Sequence, residues 1–159
     1  MSDSYYDTAQ ICQNGHVINS MASKYPESNQ AYCDKCGAST IISCPKCQTP
    51  IRGDYHDILI SHYSAPAYCH QCGQAFPWTR GALEAAHELA DTLEELSDQE
   101  REELKKSIED LLRETPRTRV AETKFKKLML KAGKEAYDGM KSILTDIVSE
   151  TVKKTLFGA

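Results

Sequence analysis

Seven cysteines and one histidine stand in four pairs: Cys12 with His16, Cys33 with Cys36, Cys44 with Cys47, and Cys69 with Cys72. Thiolate sulfur and imidazole nitrogen are the ligands of zinc, a borderline-soft ion that binds four of them tetrahedrally. The Cys33 and Cys44 pairs are separated by only seven residues, too close to serve one ion easily. Each therefore needs a second pair, and the chain offers one upstream and one downstream. That makes eight ligands, enough for two zinc ions. The odd cysteine count would be awkward for a disulfide framework, and it is resolved when His16 is the eighth ligand. Reduced thiolates fit a reducing cytoplasm. A redox Cys-x-x-Cys needs a thioredoxin-like βαβ setting, and none is visible. An iron–sulfur cluster on this ligand set is the less favoured alternative.

Catalysis is not expected at these sites. Catalytic zinc keeps an open position beside three protein ligands, whereas both sites here fill with four. His56, His62 and His70 are not needed as ligands, and His70, between Cys69 and Cys72, would point away from the ion. His56 beside Asp54 and Asp57 reads as a surface hydrogen-bonding group, and His87 as a helix-surface residue. No phosphate-cradling glycine loop or nucleophile motif is present.

An internal repeat decides the pairing. Ala31-Tyr32-Cys33-Asp34-Lys35-Cys36-Gly37 returns 36 residues later as Ala67-Tyr68-Cys69-His70-Gln71-Cys72-Gly73. Each copy is a zinc knuckle: a strand residue, two thiolates, and a glycine that lets backbone amides approach the sulfurs. In tandem ribbons, Cys12, His16, Cys33 and Cys36 hold one zinc, and Cys44, Cys47, Cys69 and Cys72 hold the other. The intervening segments of 16 and 21 residues suit ribbon loops. The alternative is a cross-brace, joining the first pair to the third and the second to the fourth, as in ubiquitin-ligase domains. It leaves the repeat unexplained, so tandem ribbons are favoured.

Short strands must position these ligands. Residues 1–11 read as a lead-in to a first strand, with Gly15 turning the first knuckle. Val17 and Ile18 alternate as a strand, and residues 19–30 read as a loop. Thr40-Ile41-Ile42 would join the two ribbons, and Ile58-Leu59-Ile60 would be a strand of the second. Phe76-Pro77-Trp78-Thr79 closes the metal region, with Thr79 capping a helix. Residues 1–78 are too short and polar to fold on a hydrophobic core alone, so metal is the expected staple. Each structural site could contribute on the order of 10 kcal/mol.

Residues 79–159 read as helical, with helices at about 80–96, 98–113 and 116–156. Leu83, Ala86, Ala90 and Leu93 recur at helical spacing. Ser97-Asp98-Gln99-Glu100 is a capping box that starts the second helix. Leu104, Ile108, Leu111 and Leu112 line one face of it. Thr115-Pro116 then begins the third. An apolar series from Phe125 to Leu156 makes that last helix long, about 60 Å if unbroken at ~1.5 Å per residue. Gly133 and Gly139 are places where it could break. Two short helices could not cover so long a stripe. Some of it should therefore meet another chain, another protein or a lipid surface, and Ile143, Leu144, Ile147, Val148 and Val152 are where self-association is expected if it occurs.

The net charge of −4 argues against non-specific nucleic-acid binding as the main role. Residues 81–114 carry a net −8 and residues 115–159 a net +5. The plain reading is that these segments pack on each other with solvated charged faces. Lys24, Lys35, Lys46 and Arg52, interleaved with Tyr25, Tyr32 and Tyr55, could form a nucleic-acid face. Tyrosines beside knuckles more often pack over the metal site. Lys124, Lys126, Lys127, Lys131, Lys134, Lys141, Lys153 and Lys154 line an amphipathic stretch that could meet a partner groove or a membrane surface, although a bundle or oligomer core with its lysines outward is the favoured reading. No apolar run is long enough to span a bilayer, and the N-terminus lacks a signal-peptide pattern.

The motifs Cys12-x-x-x-His16-Val17-Ile18, Tyr32-Cys33-x-x-Cys36-Gly37, Cys44-Pro45-x-Cys47 and Tyr68-Cys69-x-x-Cys72-Gly73 resemble the bacterial double zinc-ribbon proteins of unknown function. So do Phe76-Pro77-Trp78-Thr79, Thr115-Pro116-x-Thr118 and Asp146-Ile147-Val148-Ser149-Glu150, with Lys153 and Lys154 behind them. The resemblance covers nearly the whole chain and implies a bacterial, cytoplasmic protein. The expected fold is α+β: two tandem zinc ribbons over 1–78, then an α-helical domain of about three helices with a long last helix over 79–159. The expected function is non-enzymatic, a zinc-binding interaction or adaptor protein whose helical tail meets itself or a protein partner. A nucleic-acid-binding regulator is the alternative.

Overall fold

Short strands and tight turns dominate the first half of the chain because its residues are polar and its turns are fixed by ligand pairs. The structure, a computed structural model, describes residues 5–55 and 63–158. The chain divides into two units, Met1–Arg80 and Gly81–Ala159. The fold is mixed α+β, with antiparallel strands in the first and helices in the second.

In the first unit β1 (Tyr6–Thr8) pairs with β5 (Arg52–Tyr55). A second sheet has β2 (Gln10–Cys12) at its centre, flanked by β3 (Val17–Asn19) and β4 (Thr40–Ile41). The segment read as a lead-in thus already contains β1 and the first two residues of β2. The expected strands at 17–18 and 40–42 appear as β3 and β4. The expected strand at Ile58–Ile60 lies outside the described residues, as do His56, Asp57 and His62.

Loop 19–30 carries a 3-10 turn at Pro26–Ser28 and is held by buried polar groups. Asp7 accepts from the amides of Thr8, Ser23 and Lys24. The Asn19 side chain donates to the Tyr25 carbonyl and the Asn29 side chain, and Gln10 accepts from the Gln30 amide. Each buried polar group is thereby satisfied, which is what permits its burial. The apolar cluster is small: Ala9, Ile11, Ile51, Phe76 and Trp78, joined by Cys44 and Cys69.

From Pro77 onward the described residues form five helices, not about three: α1 (Pro77–Asp91), which begins in the last residues of the first unit, then α2 (Asp98–Leu111), α3 (Thr118–Ala132), α4 (Lys134–Leu144) and α5 (Glu150–Phe157). Helix α1 starts upstream of Thr79. That residue is no cap: its buried hydroxyl donates to the Ala67 carbonyl at 2.8 Å. The Ser97–Glu100 capping box is formed, with both reciprocal hydrogen bonds present. Glu100 also accepts two bonds from Lys131, tying α2 to α3.

The expected long helix over 116–156 is three helices. Gly133, at φ +103°, ends α3 and begins α4, a conformation that residues with a side chain rarely adopt. A second break follows Leu144, after which the Ser149 hydroxyl caps α5 through the Val152 amide. Gly139 does not break the chain. It lies inside α4, where an added Cβ would sit 3.2 Å from Leu89.

These breaks change the fate of the apolar stripe. Leu144, Ile147, Val148, Val152 and Leu156 are buried in one core with Leu104, Ile108, Phe125 and Met140, and Ile143 packs against it. The expected self-association stripe is therefore used inside the chain. Its periodicity was compatible with a straight helix or with one folded back on itself.

One close approach sets the geometry of the first unit. A Cβ added at Gly53 would lie 2.1 Å from the Ser20 carbonyl oxygen. Gly53→Ala is expected to destabilise the zinc-loaded protein by about 1–3 kcal/mol, the usual range for overpacking. Thermal or denaturant unfolding measures it, and wild-type stability would show that the two backbones do not meet so closely.

Candidate metal centres

Three of the four ligand pairs fold into the same turn. In each, the amide two residues before the turn's end closes back on the first cysteine: Gly37, Gln48 and Gly73 donate to the carbonyls of Cys33, Cys44 and Cys69. The first cysteine's own amide donates onward to Ala38, Thr49 and Gln74 respectively. Isolated bridges Tyr32–Ser39, Ser43–Pro50 and Tyr68–Ala75 close each knuckle. The residue after the second cysteine is left-handed in all three, at φ +77° (Gly37), +65° (Gln48) and +76° (Gly73). The Cys44 knuckle thus repeats the other two, with glutamine in the glycine position. The Cys12 knuckle differs, closing through Cys12 N–H to the His16 carbonyl and turning at Gly15, φ +91°.

The eight ligands come together in two groups, Cys12–His16–Cys33–Cys36 and Cys44–Cys47–Cys69–Cys72. Within each, all four donor atoms lie within 4.8 Å of one another. This is the tandem pairing, and it excludes the cross-brace. His70 is exposed on the knuckle turn and belongs to neither group. His87 instead sits 3.5 Å from Glu109.

The spacings test the fit to zinc. Bonds of about 2.3 Å to sulfur and about 2.0–2.1 Å to nitrogen require tetrahedral edges of about 3.8 Å between sulfurs and about 3.5 Å from sulfur to nitrogen. Cys12–Cys36, Cys44–Cys72 and Cys47–Cys69 are each 3.7 Å apart, sulfur to sulfur. His16 Nδ1 is 3.4 Å from Cys12 Sγ and 3.5 Å from Cys33 Sγ. A disulfide would need sulfurs about 2.05 Å apart. The geometry and the donor types are those of two structural zinc ions.

Around the sulfurs, hydrogen-bond donors favour the thiolate. Cys12 Sγ accepts from the amides of Asn14 and His16, Cys33 Sγ from Lys35, and Cys69 Sγ from Gln71, at 3.3–3.4 Å. The Asn14 side chain, 3.3 Å from Cys36 Sγ, is the main cause that lowers that thiol to about 6, with the Ala38 amide adding to it. The Thr49 hydroxyl, 3.2 Å from Cys47 Sγ, does the same there, also to about 6. Elsewhere burial pushes Cys12 up. At Cys72 the Gln74 amide pulls down, but burial and three neighbouring sulfurs outweigh it and hold the thiol at about 11. Four sulfurs this close cannot all carry charge alone, and a divalent cation removes that conflict.

Asn14 and Thr49 were not singled out by the repeat, because the corresponding knuckle positions hold other residues. Trp78 was read only as closing the region. Its indole N–H donates to the Pro66 carbonyl at 2.9 Å and its ring stacks on Phe76. A Cβ on Gly15 would come within 3.0 Å of it, so this tryptophan packs directly on the first knuckle.

Two tandem zinc ribbons joined to a helical unit define the class of protein. The family described as an uncharacterized protein conserved in bacteria, DUF2321, matches residues 5–156, and the chain belongs to it. That description names neither ribbon nor metal, so the zinc assignment rests on the eight ligands. No curated protein and no solved structure gives a match.

Two zinc ions per chain are expected by native mass spectrometry, and one in Cys69→Ser. Zinc must displace thiol protons, so its apparent affinity falls as pH falls. The fall should steepen below about pH 6, where Cys36 and Cys47 join the groups that must lose a proton. A chelator-competition titration across pH 5–8 measures this, and a flat profile would contradict thiolate ligation.

Proposed function

We propose that this protein is a non-enzymatic, zinc-stabilised interaction module acting in a reducing cytoplasm. The observation that carries this reading is that four protein donor atoms gather at each site. Four is as many as a structural zinc takes, so neither zinc needs a substrate or a water to complete its tetrahedron. The metals then serve to fix the surface of a unit whose own apolar cluster is small. That surface carries uncovered aromatic and aliphatic groups, among them Tyr32 (66% exposed) and Ile42 (52%). Such groups are the raw material of recognition when a rigid scaffold presents them.

The test is the native mass of the complex purified from its source cell under gentle ionisation. Two zincs per chain with a retained second protein or a defined homo-oligomer is the expected result. A two-zinc monomer that retains nothing would count against the reading.

A nucleic-acid role has one specific observation in its favour. On β1 and β5, Tyr6 and Tyr55 pack edge to face at 5.2 Å, and the Arg52 guanidinium lies 4.8 Å over the Tyr6 ring. Both rings are partly exposed, as a base-stacking platform requires. Asp7 and Asp54 on the same strands are buried and hydrogen-bonded inward. On this reading a single-stranded oligonucleotide binds, binding weakens steeply with salt, and Tyr6→Ala reduces it by ~1–3 kcal/mol. Fluorescence anisotropy decides it, and salt-insensitive or absent binding removes the alternative.

A further inference from the structure

Helices α3, α4 and α5 leave an open groove of about 640 Å³ on the second unit. Phe125, Met129 and Leu156 lie at its base, each less than a tenth exposed, Tyr137 lines it partly exposed, and no side-chain carboxylate of the described residues lines it. Leu130 stands at its edge, 84% exposed, the most uncovered large apolar side chain among the described residues. Lys126 and Lys134 line the same groove, four residues to either side of Leu130. Among the described residues Lys134 has one ion-pair partner, the exposed Asp138 at 3.1 Å, and Lys126 has none. An apolar floor, a projecting leucine and two flanking ammonium groups form a surface with both shape and charge preference.

We infer that this groove binds an acidic amphipathic helix of another protein. A helix in such a groove places apolar side chains at i, i+3 or i+4, and i+7 on the floor and against Leu130. Its flanking carboxylates then meet Lys126 and Lys134, which sets orientation and rejects basic helices. A second copy of this chain does not fit that description. Its acidic stretch, residues 81–114, has its own Ala86, Ala90, Leu93, Leu104, Ile108 and Leu111 buried in the core. It would offer carboxylates with no apolar side chains to insert. The occupant is therefore a different chain, one with acidic and apolar residues on a single helix.

This assignment rests on the proposed interaction role, and it is tested separately from it. A display library of 16-residue helix-favouring peptides, varied in charge and apolar spacing, is selected against the full zinc-loaded chain. Leu130→Glu serves for counter-selection. Because Leu130 is exposed, that variant is expected to retain two zincs and wild-type helicity. The expected result is enrichment of net-acidic peptides with apolar residues at helical spacing. Their affinity should fall at least about tenfold with Leu130→Glu, and several-fold with Lys126→Glu or with added salt. Failure to enrich any helical peptide over the variant overturns the inference, as does enrichment of basic peptides. Binding of phosphatidylglycerol vesicles, or a dimer, that is lost in Leu130→Glu while no peptide is selected reassigns the groove and also overturns it. A native complex that survives Leu130→Glu would leave the interaction role standing and remove the groove from it.

Discussion

Mutual repulsion among ligands is the constraint on which the first unit depends. Each site holds four donor atoms within 4.8 Å of one another, and seven of the eight are sulfurs. Donors from Asn14 and Thr49 draw one thiol of each set toward the anion, while burial and neighbouring sulfurs hold Cys12 and Cys72 toward the neutral form. Such a set is stable in one arrangement only when a dication balances all four. The metal is thus a folding element, and Cys44 and Cys69 belong to the same cluster as Ile11, Ile51 and Trp78.

From that constraint the strands follow. A knuckle requires a short extended residue, two sulfurs on a tight turn and a left-handed residue after them. Three of the four pairs meet these needs with the same hydrogen bonds. Glutamine at position 48 pays a small conformational penalty that glycine at 37 and 73 does not. The strands need be no longer than three or four residues, because the metal supplies the order that a longer ladder would otherwise provide.

What the sequence made legible divides along the same line. Ligand chemistry is local, so the eight ligands, their tandem pairing and the zinc count could be read from spacing and a repeat. The Ser97–Glu100 cap was legible for the same reason, since all its atoms lie within four residues. Gly53 and Trp78 were not, because their importance lies in what approaches them from distant parts of the chain. Helical periodicity fared between these. It marked the buried positions but carried no information on whether the helix ran straight. Gly133 took the left-handed turn, whereas Gly139 stayed helical to admit Leu89.

The refolded tail changes where recognition can occur. A straight helix over 116–156 would have left a continuous apolar stripe needing a cover from outside. Broken at Gly133 and again after Leu144, the stripe covers itself. The opposed charges of the two helical segments are likewise spent in part within the unit, through Lys131 with Glu100 and Arg117 with Asp110. Such exposed pairs contribute little stability each, so their main effect is to orient α3 on α2. What remains uncovered after this internal pairing includes Val120 and, far more exposed, Leu130, with Lys126 beside it and without an ion-pair partner among the described residues. A core that absorbs nearly all its own apolar surface leaves specificity to the few groups it cannot absorb.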